Sequence, residues 1–387
     1  INIKEDGSFK LNMYYFDYCT GTTMTNNKFN KLFDGPPRKA ESKLTIREMN
    51  IAASIQYVIE EIIIKIVKNI KKETKLDNLC LAGGVALNCV ANGKLIKEKI
   101  FKNIWIQPAA GDAGGALGAA LGLWYKELNN KRNKKDIKRD QMQGSLLGPN
   151  FSNEYIKNFL INKKIYFQYY DDDDLLINTA KIISDGNAIG WFQGRMEFGP
   201  RSLGSRSILA DPRNENMQKN LNIKVKFRES FRPFAPAITY EDLNDWFEME
   251  VESPYMLFVA EIKKNLQIPM SENNKSLFGI NKLNIKRSNI PAITHVDYSA
   301  RVQTVHKETN YKFYKLIKNF KKLTGCPILV NTSFNVRGEP IVCSPEDALN
   351  CFLGTDLDFL VIGNFIVDKN NINKNLLLNY KNKYELD

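Results

Sequence analysis

A strand, a glycine-bearing turn and a helix, repeated twice between residues 78 and 128, constrain the fold more than any other feature of this chain. Asn78-Leu79-Cys80-Leu81-Ala82 is short and apolar and breaks at Gly83-Gly84, after which Val85 to Ile100 has helical character. Asn103-Ile104-Trp105-Ile106-Gln107 is a second such run, Pro108 to Asp112 a loop, and Ala113 to Leu128 an Ala/Gly-rich helix. Strands alternating with helices predict an α/β sheet. Turns that follow adjacent strands open toward one sheet edge, which is the layout of a nucleotide or phosphate cleft.

Each turn admits two readings. Gly83 and Gly84, with no Cβ, either relieve a tight turn or let backbone approach a phosphate beside a helix N-terminus. Asp112, the sole acid in its small-residue loop, either caps the following helix or serves as a hard oxygen ligand for a cation.

Upstream, the polar segment to Ser42 precedes Thr45-Ile46-Arg47-Glu48, a capping-box pattern. A long amphipathic helix over 46–73 should follow, with Ile51, Ile55, Val58, Ile62 and Val67 near helical spacing. Downstream, Lys131, Arg132, Lys134, Lys135, Lys138 and Arg139 form a charge run, read as a solvated linker in preference to a nucleic-acid arm. The expected organisation is a first domain over 1–128, a linker over 129–148 and a second domain over 149–387. In the second domain, Lys164 to Tyr170 is strand-like. Asp171 to Asp174 sit where a helix over 175–183 begins, and capping explains them better than a metal site. Cys326 to Phe334 is a strand entering a turn, Ser344-Pro345-Glu346-Asp347 opens a helix, and Asp358 to Val367 closes with a strand. This half reads as α+β with a mixed or antiparallel sheet.

Gly194 to Pro236 carries Arg195, Arg201, Arg206, Arg213, Lys226, Arg228 and Arg232 among Gly, Pro, Phe and Leu. Arginines interleaved with apolar residues are partly buried, and a buried guanidinium calls for an anion; bidentate phosphate geometry suits it. Pairs with Glu197, Asp211 and Glu229, or an RNA surface, remain open at this point. Ala300-Arg301-Val302-Gln303-Thr304-Val305 is an alternating strand with a single Arg. Asn331-Thr332-Ser333-Phe334-Asn335 is a polar turn whose amides and hydroxyls suit a planar ligand such as a carbamoyl group or a nucleotide sugar; it also fits an ordinary capped turn.

Bulk composition excludes some classes. In 387 residues, 43% hydrophobic and 25% charged, no run approaches the roughly 18 apolar residues of a membrane span. The net charge of +12 is spread along the chain, so it favours anionic ligands without indicating nucleic acid. Six cysteines form no CxxC pair and no zinc spacing, which fits buried free thiols in a reducing, cytoplasmic setting. A first residue of Ile, without Met or a signal pattern, fits a fragment or a processed product.

Taken in order, Gly83 to Asn88, Pro108 to Ala120, Gly194 to Pro236, Ala300 to Val305 and Asn331 to Val342 resemble the O-carbamoyltransferases of nodulation-factor and antibiotic biosynthesis. The resemblance implies α/β plus α+β architecture: the C-terminal half of an actin/sugar-kinase-like (ASKHA) transferase domain, then a mixed-sheet domain similar to threonylcarbamoyl-adenylate synthases. It implies that ATP and carbamoyl phosphate form carbamoyl-adenylate in the second domain, and that a sugar-like hydroxyl takes the carbamoyl group in the first. On the matching positions, Arg201, Lys226, Arg232 and Arg301 look like catalytic cations of the adenylation site. Asn331 and Ser333 look like ligands of the carbamoyl group or nucleotide, and Gly83, Gly84 and Asn88 like nucleotide contacts of the transfer site. Asp112 falls where the family has a metal ligand; the implied metals are iron in the transfer domain and magnesium with ATP.

The family also has a further N-terminal half bearing metal-binding histidines, whereas here the only histidines are His295 and His306. A missing half, supplied in cis or in trans, is therefore an expected partner, with a small hydroxyl-bearing acceptor; a membrane or nucleic acid is not. A threonylcarbamoylation enzyme acting on tRNA and a nucleotide-binding remnant without turnover are the competing readings.

Overall fold

The computed structural model describes residues 1–39, 42–132, 141–283, 285–380 and 383–384. Lys134, Lys135, Lys138 and Arg139 of the charge run lie outside the described residues. The chain divides into two compact units, one built from 1–81 with 90–105 and the other from 82–89 with 106 onward.

The first unit begins with an antiparallel hairpin, β1 (Asn2–Ile3) and β2 (Phe9–Lys10). Its main element is the helix Ile46–Thr74. Thr45 starts it with a capping box: the Glu48 carboxylate accepts from Thr45 N at 2.9 Å, and Thr45 Oγ1 accepts from Arg47 N. Strands β3 (Asn78–Leu81) and β4 (Asn103–Ile106) form a two-stranded sheet. Val67, Leu79, Leu95 and Phe101 make the core between them, with Ile63, Ile64, Leu81, Ile100 and Ile104 around it. Of the expected apolar stripe of the long helix, Ile62 and Val67 are buried and Ile55 is exposed.

The helix expected over 85–100 is interrupted. Gly84–Leu87 is a single tight helical turn and the α-helix runs Cys89–Glu98, because Asn88 between them has an extended ψ of 89°. The later helix, Asp112–Gly122, closes with a wide turn over Leu123–Glu127.

The second unit is organised on a nine-stranded mixed sheet. Its strands are β5 (Gln168–Tyr169), β6 (Ile189–Phe192), β7 (Arg206–Ala210), β8 (Ala235–Thr239), β9 (Phe258–Glu261), β10 (Ser299–Val305), β11 (Ile328–Ser333), β12 (Phe359–Ile362) and β13 (Phe365–Asp368). Their order is β5-β13-β12-β6-β7-β11-β8-β10-β9. Two pairs, β10 with β8 and β12 with β6, are parallel; the other six are antiparallel. The expectation of a mixed sheet is met. The strand expected over 164–170 shrinks to two residues at the sheet edge.

Burial explains why the inner strands read as continuous apolar runs. All residues of β6, β7 and β8 are buried, as strands covered on both faces must be. For the same reason β10 does not alternate as its sequence suggests: six of its seven residues are buried and Arg301 is half-buried. The helix Tyr311–Thr324 buries Phe313, Leu316, Ile317 and Phe320 at helical spacing and packs on the helix Asp172–Ser184. Each fully buried Phe or Leu of this stripe contributes about 2 kcal/mol. Asp171 caps the 172–184 helix through Asp174 N at 2.9 Å, and Ser344 caps the helix Pro345–Leu353.

All six cysteines are free, yet only Cys326 and Cys351 are buried; Cys19 and Cys80 are exposed. The apolar neighbours of Cys80 misled the expectation of burial, since its strand belongs to a sheet of two and not to the large one. Among the described residues, no helix is long and apolar enough to cross a membrane.

Candidate functional site

Two strands and two loops converge on one face of the large sheet. Side chains two residues apart on a strand share a face, so Arg301 goes with Gln303 on β10, and Asn331 with Ser333 on β11. The Asn331 Nδ2 amide donates to Gln303 Oε1 at 2.6 Å, which puts both pairs on the same side. Asn331 Nδ2 also donates to the Ser202 carbonyl at 3.1 Å, and Gln303 Nε2 donates to the Leu203 carbonyl at 2.8 Å. These bonds fasten the loop 193–205 over the same face.

That loop is shaped by Glu197, whose side chain is buried. Its Oε1 accepts from Leu203 N and Ser205 N, both at 2.7 Å, curling the backbone around one carboxylate. Burial raises the Glu197 carboxyl above its ordinary range, against the pull of those N–H donors.

The arginines sort into two groups. Arg206 is fully buried, and its hydrogen-bond acceptors are neutral, with the Glu197 charge acting on it through space. Its guanidinium donates to the carbonyls of Gln193, Gly194, Ser205 and Pro149 at 3.0–3.2 Å and lies 3.6 Å from the centre of the Phe192 ring. Four carbonyl oxygens, helped by the nearby Glu197 charge, take the place that a phosphate was expected to fill. Arg213 pairs with Asp211 at 2.6 Å, and Arg232 with Glu229 at 3.2 Å. Arg195 donates to the Gly148 carbonyl at an exposed position.

Arg201 and Arg301 behave differently. Neither forms an ion pair among the described residues, and each lies in the other's field. Burial, then the Arg301 charge, pushes Arg201 down to about 10. Arg228 is lowered to about 10 as well, by burial and then by Arg232, against the pull of Glu229 and with Arg301 and Arg337 adding to it; its Nε donates to Asn222 Oδ1 at 2.7 Å. Like charges gathered at half-buried positions are costly unless an anion joins them. Three neighbouring buried atoms also lack a hydrogen-bond partner: Arg201 Nε, Ser202 Oγ and Asn331 Oδ1. Such orphans are uncommon in folded proteins and fit a ligand's place.

Lys226 joins the two halves of the site. Its Nζ donates to the Ser333 carbonyl at 2.5 Å, Ser333 Oγ at 3.2 Å, the Asn335 carbonyl at 2.9 Å and Asn335 Oδ1 at 2.8 Å. Burial pushes the ammonium down to about 7. Phe334, fully buried, anchors the same turn against Gly190, where a Cβ would meet its ring at 2.5 Å. Its N–H donates to the Arg206 carbonyl at 3.0 Å.

The glycine turns also come together. Gly83 N donates to the Ala110 carbonyl at 2.9 Å. Gly83 adopts a φ of +98°, which explains that glycine, while nothing lies within 4 Å of a Cβ at Gly84. Asn88 is half-buried at the end of this turn. Gly199 approaches the second turn, a Cβ there meeting the Pro108 carbonyl at 3.2 Å, and Cys89 adds to the field at Arg201.

Asp112 is not the cap of its helix. Gly111 holds that position, and Asp112 is exposed in the first turn, where it complements the helix dipole. Among the described residues no three His, Cys, Asp or Glu side chains group to hold a metal ion. His295 and His306 lie on or beside β10, so a metal at Asp112 would have one ligand, and these residues do not fit one.

Thus Arg201, Arg232, Arg301, Lys226, Asn331 and Ser333 gather around one sheet face, and Gly83, Gly84, Asn88 and Asp112 line the paired glycine turns. Sequence reasoning passed over Gln303 and Asn222, and named Glu197 only as a possible partner of the arginines. Gln303 carried a signal, standing two residues from Arg301 on one strand; Asn222 and Glu197 act through backbone that only folding brings near.

The large mixed sheet thus carries a cation-rich face on which several buried polar atoms have no partner. Comparison with known proteins assigns a family. Residues 1–121 match the family description "Carbamoyltransferase N-terminus" and residues 180–369 match "Carbamoyltransferase C-terminus". The chain belongs to the carbamoyltransferase family. It is 57% identical over 371 residues to an uncharacterized protein of Synechocystis, covering 95% of this chain and 60% of that one. It is 41% identical over 336 residues to Nodulation protein NolNO of Sinorhizobium fredii, covering 86% and 46%. Nodulation protein NolO of Bradyrhizobium diazoefficiens is 40% identical over 336 residues, with 86% and 57% covered. The chain therefore spans about half to three fifths of the length of these relatives.

Proposed function

We propose that this chain carries the carbamoyl-activating part of an ATP-dependent O-carbamoyltransferase. The observation that carries the reading is the pair Arg201 and Arg301, mutually repelling and without carboxylate partners, beside the orphaned Asn331 Oδ1. Donors fixed before ligand arrives stabilise charge as it develops on phosphate without reorganising. In this reaction a carbamate oxygen, freed from carbamoyl phosphate with one water taken up and inorganic phosphate released, attacks the α-phosphorus of ATP. Pyrophosphate leaves and carbamoyl-adenylate remains. A hydroxyl of a sugar or related metabolite then attacks the carbamoyl carbon, its proton is lost, and AMP leaves.

Arg201, Arg301 and Arg232 neutralise the phosphates, Lys226 holds the Ser333–Asn335 turn, and Asn331 with Ser333 faces the carbamoyl group or the nucleotide. The large sheet fills the place of the threonylcarbamoyl-adenylate-synthase-like domain. The paired turns at Gly83, Gly84 and Asn88 fit the nucleotide side of an actin/sugar-kinase-like transfer domain, set off by a linker over 129–148. The transfer site draws further residues from an additional segment in cis or in trans. The exposure of the apolar helix 112–122 and of Leu123 and Trp124 supports that reading. A cytoplasmic setting suits both ATP and free thiols.

Pyrophosphate exchange tests the proposal. Folded protein given ATP, carbamoyl phosphate and labelled pyrophosphate should return label to ATP only when carbamoyl phosphate is present. Exchange that is absent, or indifferent to carbamoyl phosphate, ends it. Arg201→Ala should lower the exchange rate at least about 100-fold, as removal of an oxyanion donor does elsewhere.

A further inference from the structure

The cations converging on this face can only donate. Arginine and lysine offer N–H groups and no acceptor, so they hold phosphate and carbonyl oxygens and say nothing about a ligand's own N–H. Three buried oxygens of this face and its loop lack a partner, Asn331 Oδ1, Ser202 Oγ and Glu197 Oε2; of these only the Asn331 amide oxygen, on a residue with no exposed surface, belongs to the sheet itself and can do nothing but accept.

Its orientation is fixed by a relay. The Leu203 carbonyl can only accept, so the Gln303 side chain must turn Nε2 toward it, at 2.8 Å. That leaves Oε1 facing Asn331, which must answer with Nδ2, at 2.6 Å. The Ser202 carbonyl at 3.1 Å demands the same nitrogen. Reversing the Asn331 amide would set its oxygen against two oxygens, and reversing Gln303 would do the same at Leu203. Only one arrangement satisfies all four groups.

We propose that Gln303 is a positioning residue that locks Asn331 Oδ1 open as an acceptor, making the site selective for a phosphorylated ligand bearing a primary amide. The inference rests on the carbamoyl reading of this face and adds to it the device that tells an NH2 group from a methyl group of the same size. Selectivity of this kind is steep, because a ligand without the N–H leaves a buried acceptor unpaired, whereas apolar pockets tell such isosteres apart weakly.

Two stable phosphonates that differ only at that group decide the matter: phosphonoacetamide, H2N–CO–CH2–PO3, and acetonylphosphonate, CH3–CO–CH2–PO3. Titration calorimetry with the whole chain and ATP should show phosphonoacetamide binding at least about 10-fold tighter. Gln303→Met, close in size and without polar atoms, should bring the ratio near one while acetonylphosphonate affinity stays within about 3-fold, since the cations are untouched. Equal affinity of the two ligands for the unaltered protein overturns the proposal, even if a variant fails to fold. A ratio unchanged in Gln303→Met overturns it equally. If neither phosphonate binds, the carbamoyl reading itself is what fails.

Discussion

The Lys226 ammonium donates to the Asn335 side-chain oxygen at 2.8 Å, joining two loops 109 residues apart in sequence. The bond places a cation in the interior, where burial pushes it down to about 7 from the ordinary 10.5. Below about 7 the native and unfolded chains both hold the proton. Between about 7 and 10.5 the unfolded chain keeps it and the native chain releases it, so unfolding becomes harder as pH rises through that window. Thermal melts at intervals from pH 6 to 10 should show this rise, and Lys226→Met should flatten it relative to the parent protein. Parallel curves for the two proteins would show that Lys226 does not titrate in this range.

Arg201 and Arg301 oppose one another in the unliganded chain, so binding and stability should move in opposite directions. Arg201→Met keeps an apolar stem of similar length and removes the repulsion. Melting temperature should rise by a few degrees, corresponding to about 0.5–1 kcal/mol, while affinity for ATP falls at least about 10-fold. Added sulfate should stabilise the parent more than the variant. A variant both less stable and equally good at binding would assign Arg201 to the structure alone.

Arg206 makes the opposite case. Its planar fork meets four carbonyls and stacks on Phe192, an arrangement that a lysine cannot reproduce. Arg206→Lys should cost about 2–4 kcal/mol by urea denaturation. An effect under about 0.5 kcal/mol would mean that the carbonyl contacts add little.

These contrasts show what a linear reading can recover. The two glycine turns were legible because Gly-Gly and a small-residue loop each interrupt an apolar strand, and their meeting at Gly83 and Ala110 follows from strand adjacency. The caps at Thr45, Asp171 and Ser344 were legible because the relevant bonds span three residues or fewer. Which arginines face a ligand was not legible. Arg206 and Arg201 both stand among Gly and Ser, and only the closure of the 193–205 loop on Pro149 decides that the terminal nitrogens of Arg206 meet four carbonyls. The Gln303–Asn331 contact was hidden for a related reason, because strand order in a mixed sheet carries no local signature. Nor did the sequence disclose the break at Asn88, where a polar residue between two helical turns leaves the helical region.

Gly114 and Gly115 stand side by side in the helix 112–122 and should respond differently to one methyl group. A Cβ on Gly114 would lie 2.1 Å from the Ala109 carbonyl, a backbone atom that cannot step aside without moving the turn. A Cβ on Gly115 would meet nothing within 4 Å, and alanine is the better helix former by about 0.5–1 kcal/mol. Gly115→Ala should therefore leave stability unchanged or raise it slightly. Gly114→Ala should lower it by about 1–3 kcal/mol, an overpacking cost, and speed amide hydrogen exchange at Gly83, whose N–H the same turn accepts through Ala110. Exchange at Gly83 that is indifferent to Gly114→Ala would show that the two turns are not mechanically joined, and would remove the reason for treating them as one cleft.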